Sequence, residues 1–298
     1  SLGLTVLTFL FTMTDVPIES VALKLFTGIE KFEIMAIPFF ILAGNFLTHG
    51  GVARRMITLA TSMVGHWHGG LGLAGVLACA LFAAVSGSSP ATVVAIGSIL
   101  LPAMVKQGFP NSFGAGVITT SGALGILIPP SIVMVMYSVA TNTSVGQLFM
   151  AGVIPGLMLA GFLGLTTWYR ARKFGYPRLA KASMQQRLKA LRESIWGLLL
   201  IVVVIGGIYT DIFTPTEAAA MSAVYAFIVA VFIYKDLTLK QVPKVLLDSA
   251  SMSAMLLYII TNAVLFSFLM TSEGIPQAMA SSLIDAGLGP IAFLLAVN

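Results

Sequence analysis

Two apolar stretches, Leu71 to Val85 and Ala91 to Val105, flank the polar, turn-prone string Ser86-Gly87-Ser88-Ser89-Pro90. Each holds roughly 15 residues, which as a helix reach about 22 Å, against a hydrocarbon core about 30 Å thick. Neither is expected to cross a bilayer alone, so the pair is predicted to form a re-entrant hairpin. Hydroxyls and non-helical backbone at its tip are tolerated at membrane depth only where protein or a watery cavity surrounds them. Such a tip can hold an ion or a solute. A tight turn between two core helices is the competing reading.

Composition places this hairpin in a membrane. Of the 298 residues 58% are apolar and 9% charged, with a mean hydropathy of +0.98, so most of the surface must face lipid. An all-α, polytopic membrane protein is predicted. The single cysteine, Cys79, excludes an intrachain disulfide and any multi-cysteine metal site. Eight of the sixteen basic residues (Arg170, Arg172, Lys173, Arg178, Lys181, Arg187, Lys189 and Arg192) crowd into 170–192. The positive-inside rule puts that loop in the cytoplasm, and a nucleic-acid patch is disfavoured on a chain this apolar. The chain starts at Ser1 and stops at Asn298 within apolar sequence, and is therefore expected to be a piece of a longer protein.

From the basic loop, Ile195 to Tyr209 is predicted to climb outward and Ala218 to Tyr234 to return. Leu148 to Tyr169 descends toward the loop, with Trp168 and Tyr169 at its interfacial end. Leu2 to Met13 leads into an acid-leaning outer loop that contains Asp15, Glu19, Glu30 and Glu33, and Ile34 to Leu47 enters the membrane. The Met56, Leu59, Met63 spacing predicts an interfacial helix within Gly51 to Gly70. At an offset of 221, Ser20 to Leu42 faces Gln241 to Ala263, and the two copies carry opposite charge in their loops. That pattern predicts inverted-topology repeats, a hallmark of secondary transporters.

At the hairpin tip, Pro90 suits the first turn of a new helix, so one helix ends and another begins there. Carbonyls at the first end, with the hydroxyls of Ser86, Ser88, Ser89 and Thr92, suit a hard cation such as sodium, and amides at the second start favour an anion. A second break is predicted over Ser121 to Ser131, where Pro129 and Pro130 remove two backbone donors. It functions as the second wall of a site or is merely kinked packing. Glu217 caps the helix after Thr214 and Pro215, and Asn45 and Asn262 bond across helices or enter a site. His66 and His68 flank Trp67 and share no helical face, which favours interfacial anchoring over metal binding. No paired acids lie within spans and no nucleotide motif appears, so neither an enzyme nor an ATP-driven pump is expected.

Several ordered strings carry a resemblance to one family: Ala36-Ile37-Pro38-Phe39-Phe40-Ile41-Leu42-Ala43-Gly44-Asn45, Ser86-Gly87-Ser88, Ala95-Ile96-Gly97-Ser98-Ile99-Leu100-Leu101-Pro102-Ala103-Met104, Ile128-Pro129-Pro130-Ser131, Ala151-Gly152-Val153-Ile154-Pro155-Gly156 and Phe213-Thr214-Pro215-Thr216-Glu217-Ala218-Ala219. Over essentially its whole length the chain resembles the large membrane (M) subunit, a DctM-like permease, of tripartite ATP-independent periplasmic (TRAP) transporters. The resemblance implies an elevator-type ion-transporter fold with a re-entrant hairpin and broken helices in a bacterial inner membrane. It implies sodium-coupled import of a small organic acid, such as a C4-dicarboxylate, sialic acid or a keto acid. The acid is delivered by a periplasmic substrate-binding protein, and a small membrane subunit, separate or fused, completes the complex. No cofactor is implied beyond sodium as the coupling ion.

In those terms, residues 1–33 are the end of a first scaffold helix and an outer loop, and 34–70 a scaffold span and interfacial arm helix. Residues 71–147 form half of a transport domain, 148–193 a span and the basic loop, and 194–298 the start of a second inverted repeat cut before its hairpin. By the same resemblance, sodium falls to Ser86, Gly87, Ser88, Ser89, Thr92, Ser121, Gly122 and Gly125. Substrate falls to Ser88, Ser89, Pro90, Pro129, Pro130 and Ser131. The alternative is a divalent-anion sodium symporter that needs no binding protein, although the Ser-Asn-Thr tips typical of that class are missing here.

Overall fold

The long apolar windows all become helices. The computed structural model describes residues 2–13, 17–28, 30–285 and 289–297, and among them there is no strand. In chain order the helices are α1 (Leu2–Met13), α2 (Ile18–Thr27), α3 (Ala36–His49, after a 3-10 turn at Phe32–Met35), α4 (Val52–Val64), α5 (Gly70–Ser86), α6 (Ser89–Lys106), α7 (Asn111–Gly122), the single turn α8 (Leu124–Leu127) and α9 (Ile132–Thr141). They continue as α10 (Val145–Lys173), α11 (Met184–Tyr209), α12 (Pro215–Ile228, extended by a π turn Val229–Ile233), α13 (Val242–Ser272), α14 (Ile275–Asp285) and α15 (Pro290–Val297). Among the described residues, six helical segments are long and apolar enough to cross a membrane: Phe32–His49, Ser89–Lys106, Val145–Lys173, Met184–Tyr209, Pro215–Ile233 and Leu239–Ser272.

Two units emerge, Phe32–Ser253 and a second made of Ser1–Lys31 with Ala254–Asn298. In the second, Val6, Leu10 and Val21 bury against Leu265 and Leu269, with Leu25 partly buried on the cluster. The predicted outer loop is therefore interrupted by α2, whose apolar residues Val21 and Leu25 have a core to join. Asp15 of that loop lies outside the described residues. Asn262 turns its amide to the Tyr258 carbonyl of its own helix at 2.7 Å, although its side chain also lies against Gly3 of α1.

The first unit is built around α5. Its Gly- and Ala-rich sequence lets neighbouring backbones approach, which is how helices associate where lipid is as apolar as leucine, and α3, α4, α6, α7, α8, α10 and α11 pack on it. Asn45 on α3 donates to Ser249 Oγ at 2.8 Å, and Ser249 in turn donates to the Val245 carbonyl at 2.6 Å. This buried bond fulfils the expectation that Asn45 reaches across helices, and its partner Ser249, 204 positions away, carries no local signal. Ser249→Ala leaves the Asn45 amide unpaired and is expected to cost about 0.6–1.7 kcal/mol of stability. Unfolding in mixed micelles measures that loss, and an unchanged midpoint refutes it.

Three expectations change in detail. The basic stretch is mostly helical: Arg170, Arg172 and Lys173 form the last turn of α10, where cations meet the negative helix end. Arg187, Lys189 and Arg192 ride on α11, because a capping box starts that helix early, with Ser183 N–H donating to Gln186 Oε1 at 2.8 Å and Gln186 N–H to Ser183 Oγ at 3.2 Å. The interfacial helix α4 buries Met56 and Leu59 completely or nearly so, and only Met63 is half exposed. Its Arg55 pairs with Asp236 and lies 3.7 Å from the Tyr234 ring centroid, which fastens one end of α4 to the end of α12. For the repeat, no turn falls at the expected offset: a positive-φ glycine follows α3 at Gly51 (φ +69°) and another follows α13 at Gly274 (φ +66°), each between an apolar helix and a following one. They stand 223 positions apart, two more than the apolar pattern gives.

Candidate functional site

The hairpin exists, with legs somewhat longer than predicted: α5 has 17 residues and α6 has 18. At about 1.5 Å per residue the second leg reaches about 27 Å, so length alone does not keep it from spanning. Connectivity does. Only Gly87 and Ser88 separate the legs, and α6 returns to the end from which α5 came. The tip ends α5 because Gly87 adopts φ +62°, with its N–H on the Ala83 carbonyl, a conformation open to glycine at no steric cost. Extended Ser88 then caps α6, its hydroxyl accepting from Ala91 N–H at 3.4 Å, with Pro90 in the first turn.

The second break is shorter than the predicted Ser121 to Ser131. After α7 the helical pattern continues through α8, with Ile128 N–H on the Leu124 carbonyl at 2.8 Å. Extended backbone is confined to Ile128–Ser131, and the two helical arms are bent by 43°. Two prolines explain the narrow break, since they forbid helix only at themselves and the residue before. Ser131 bridges it, donating to the Ile126 carbonyl at 2.7 Å and accepting from Met134 N–H at 3.5 Å.

The two breaks meet. Gly87 O accepts from Ile132 N–H at 3.1 Å, and a Cβ on Gly87 would stand 2.8 Å from Pro130 O. A Cβ on Gly125 would stand 2.9 Å from Ser89 N, and one on Gly122 would meet Val93 and Ser89 O. A third wall, missed in the sequence, is Gly44 of α3, where a Cβ would lie 3.3 Å from both Cβ and O of Ser86. Its position next to Asn45 in an apolar span was the only signal. Every predicted site residue thus falls in one cluster, from Ser86 to Thr92 on one side and from Ser121 to Ser131 on the other.

Within the cluster the polar groups differ in what they have left to offer. Thr92 Oγ1 donates to Ser88 O at 2.8 Å, so its 3.1 Å contact with Ser86 Oγ is one in which Ser86 donates. Ser88 and Ser131 spend their hydroxyls on caps. Ser121 is fully buried and its Oγ has no hydrogen-bond partner. A buried hydroxyl without a partner costs about 1–3 kcal/mol, a cost that a ligand bound at that oxygen would offset. Pro129 and Pro130 are buried beneath the tip, whereas Ser88 and Ser89 are half-buried and Pro90 is exposed, which leaves the tip as the accessible edge.

The electrostatic layout follows from the helix ends. Two helix starts, α6 and α9, and two helix ends, α5 and α7–α8, converge on the same few residues. Starts carry positive partial charge and ends negative. The cluster lies about 25 Å along α5 from Gly70 and about 15 Å along α9 from Thr141.

A family model described as "Tripartite ATP-independent periplasmic transporter, DctM component" matches residues 1–298. A protein of Rhodobacter capsulatus named "C4-dicarboxylate TRAP transporter large permease protein DctM" is 78% identical over 312 residues, covering 100% of this chain and 71% of its own length. Its namesake in Pseudomonas aeruginosa is 53% identical, with 100% and 70% covered. A Vibrio cholerae protein named "Sialic acid TRAP transporter large permease protein SiaM" is 34% identical, again with 100% and 70% covered.

Proposed function

This chain belongs to the DctM-component family of tripartite ATP-independent periplasmic transporters, and from that premise we propose that it carries a C4-dicarboxylate inward together with sodium ions. It is a large inner-membrane permease and not an enzyme, a secondary transporter of organic acids that works with a binding protein. The dicarboxylate assignment rests on the names of the relatives at 78% and 53% identity, set against 34% for the sialic-acid relative.

The observation that carries the mechanism is the meeting of the two breaks around the unpartnered Ser121 hydroxyl. Oxygen donors at the ends of α5 and α7, with Ser121 Oγ, suit a hard cation, and the capped starts of α6 and α9 suit a carboxylate. Because both charges bind within one cluster, each screens the other, and neither binds as well alone. Sodium moving inward gains about 2.3 kcal/mol per 100 mV, which drives accumulation of the acid without ATP. Movement of the hairpin and broken helix as one body past α3, α4, α11 and α12 would alternate the access, in the manner of an elevator. The acid arrives from a periplasmic binding protein at the end opposite the basic loop, where Glu33, Ser138, Ser144, Asp211 and Thr214 line a cavity of about 340 Å3. A small membrane subunit completes the complex, and 194–298 opens the second inverted repeat.

Uptake of a labelled C4-dicarboxylate into proteoliposomes containing the full complex tests this reading. Accumulation is expected with an inward sodium gradient and loaded binding protein, and none when sodium is equal on both sides. Accumulation that persists without sodium refutes the coupling. Equal uptake without the binding protein points instead to a divalent-anion symporter.

A further inference from the structure

At the basic end of α10, His66, Trp67, His68, Trp168 and Arg178 line a cavity of about 380 Å3, in the size range of small-molecule sites. The loop 65–69 that forms one side leads directly into α5. Its other side is the segment after α10, which is pinned to the loop by Leu179 N–H donating to the Gly65 carbonyl at 3.0 Å. That segment is itself anchored by Tyr176, whose ring packs 4.7 Å from Phe113 and 5.4 Å from Phe109. The cavity is therefore built by docked backbone and not by loose side chains.

We propose that this cavity holds the phosphate headgroup of an anionic phospholipid. Arg178 lies in its wall, and Arg172 lies beside it with its guanidinium 5.5 Å from the Trp168 ring centroid. Among the described residues neither guanidinium is paired with a carboxylate. His66 adds a buried Nδ1 with no hydrogen-bond partner. The surrounding sequence is poor in acid, since Glu193 is the only acidic residue between Glu33 and Asp211, and its carboxylate lies 4.0 Å from Lys189, which leaves an external anion to match these cations. Burial, and then the charges of Arg178 and Arg172, hold the His68 imidazole below its ordinary value, as expected where positive charge is uncompensated.

A lipid fits better than a free anion because the cavity lining is mostly apolar. Trp67 is 52% exposed at its mouth, and the adjoining face of α10 presents Phe162, Leu165 and Tyr169 to the bilayer. Indole rings favour the headgroup level, and basic pockets between spanning helices on the cytoplasmic side suit acidic headgroups. This inference needs the chain to lie in a membrane, and is independent of which solute it carries.

The test uses the protein with Trp196, and any tryptophan outside residues 1–298, replaced by Phe, so that only Trp67 and Trp168 emit, in phosphatidylcholine nanodiscs that contain increasing fractions of brominated lipid. Brominated phosphatidylglycerol is expected to half-quench the emission at a mole fraction about tenfold lower than brominated phosphatidylcholine. In the Arg172→Gln/Arg178→Gln variant the two curves should coincide, while Arg172→Lys/Arg178→Lys, which keeps the charge, retains the preference. Equal quenching by the two lipids in the parent, or an unchanged preference in the Gln variant, overturns the proposal. Binding of labelled inorganic phosphate to the parent but not to the Gln variant, with coincident quenching curves for the two lipids, overturns it as well, since a free anion then occupies the site.

Discussion

Gly87→Val is expected to abolish uptake without unfolding the protein. Gly87 holds φ +62°, which costs an L residue about 1–2 kcal/mol, and its missing Cβ leaves room for Pro130 O at 2.8 Å. Pro130 is backbone in a buried break and cannot yield, so the tip must lift, taking with it the bond from Ile132 N–H to Gly87 O. A few kcal/mol of strain at one turn is a small part of what holds α5 among seven neighbouring helices, but it separates the two walls of the site. Uptake should fall at least about a hundredfold, since a misplacement near 1 Å in a site already costs on that order. Gly87→Asn discriminates the cause: asparagine tolerates positive φ but still carries a Cβ. If Asn restores uptake, backbone strain alone mattered and the close approach to Pro130 did not. Wild-type uptake by the valine variant removes the tip from the mechanism.

Ser121→Ala should do the opposite of an ordinary buried-polar deletion. Its hydroxyl has no partner, so its loss is expected to leave stability unchanged or raised by about 1 kcal/mol. If that oxygen ligates sodium, half-saturation by sodium should rise about tenfold or more, since a bond to a charged group is worth about 1.5–3 kcal/mol. Ser131→Ala is the contrast, because that hydroxyl donates to Ile126 O and accepts from Met134 N–H. Losing such a cap costs about 1 kcal/mol, and the sodium dependence should move little. Titrating uptake against sodium, alongside thermal unfolding of both variants, separates the roles. An unchanged sodium curve in Ser121→Ala excludes it as a ligand.

The two breaks were legible because their causes are local. A glycine before a Ser-Ser-Pro string, and two adjacent prolines, interrupt a helix whatever surrounds them. Their exact extents were less legible: the run from Ser121 to Leu127 looks broken because it is rich in glycine and serine, yet apart from a turn at Ala123 it is helical through α8. Glycine and serine weaken a helix by well under the few kcal/mol that proline costs, and packing against the hairpin tip outweighs that. Likewise Arg187, Lys189 and Arg192 carry the charge of a solvated loop, while the Ser183–Gln186 capping box starts α11 ahead of them.

The helical character of the long apolar windows, the breaks at Gly87 and at Pro129-Pro130, and the family signature were thus determined by the sequence alone, because each depends on residue type and spacing along the chain. Only the tertiary structure decided which hydroxyls remain unspent. Ser86, Ser88, Thr92, Ser121 and Ser131 are equivalent as letters. Four of them are engaged with neighbours and one is not, because hydrogen-bond partners are set by where folded backbones come to rest. The same holds for Ser249 under Asn45 and for Gly44 against Ser86, contacts across 204 and 42 positions. No local pattern encodes such pairs, since they exist only once α5 is enclosed.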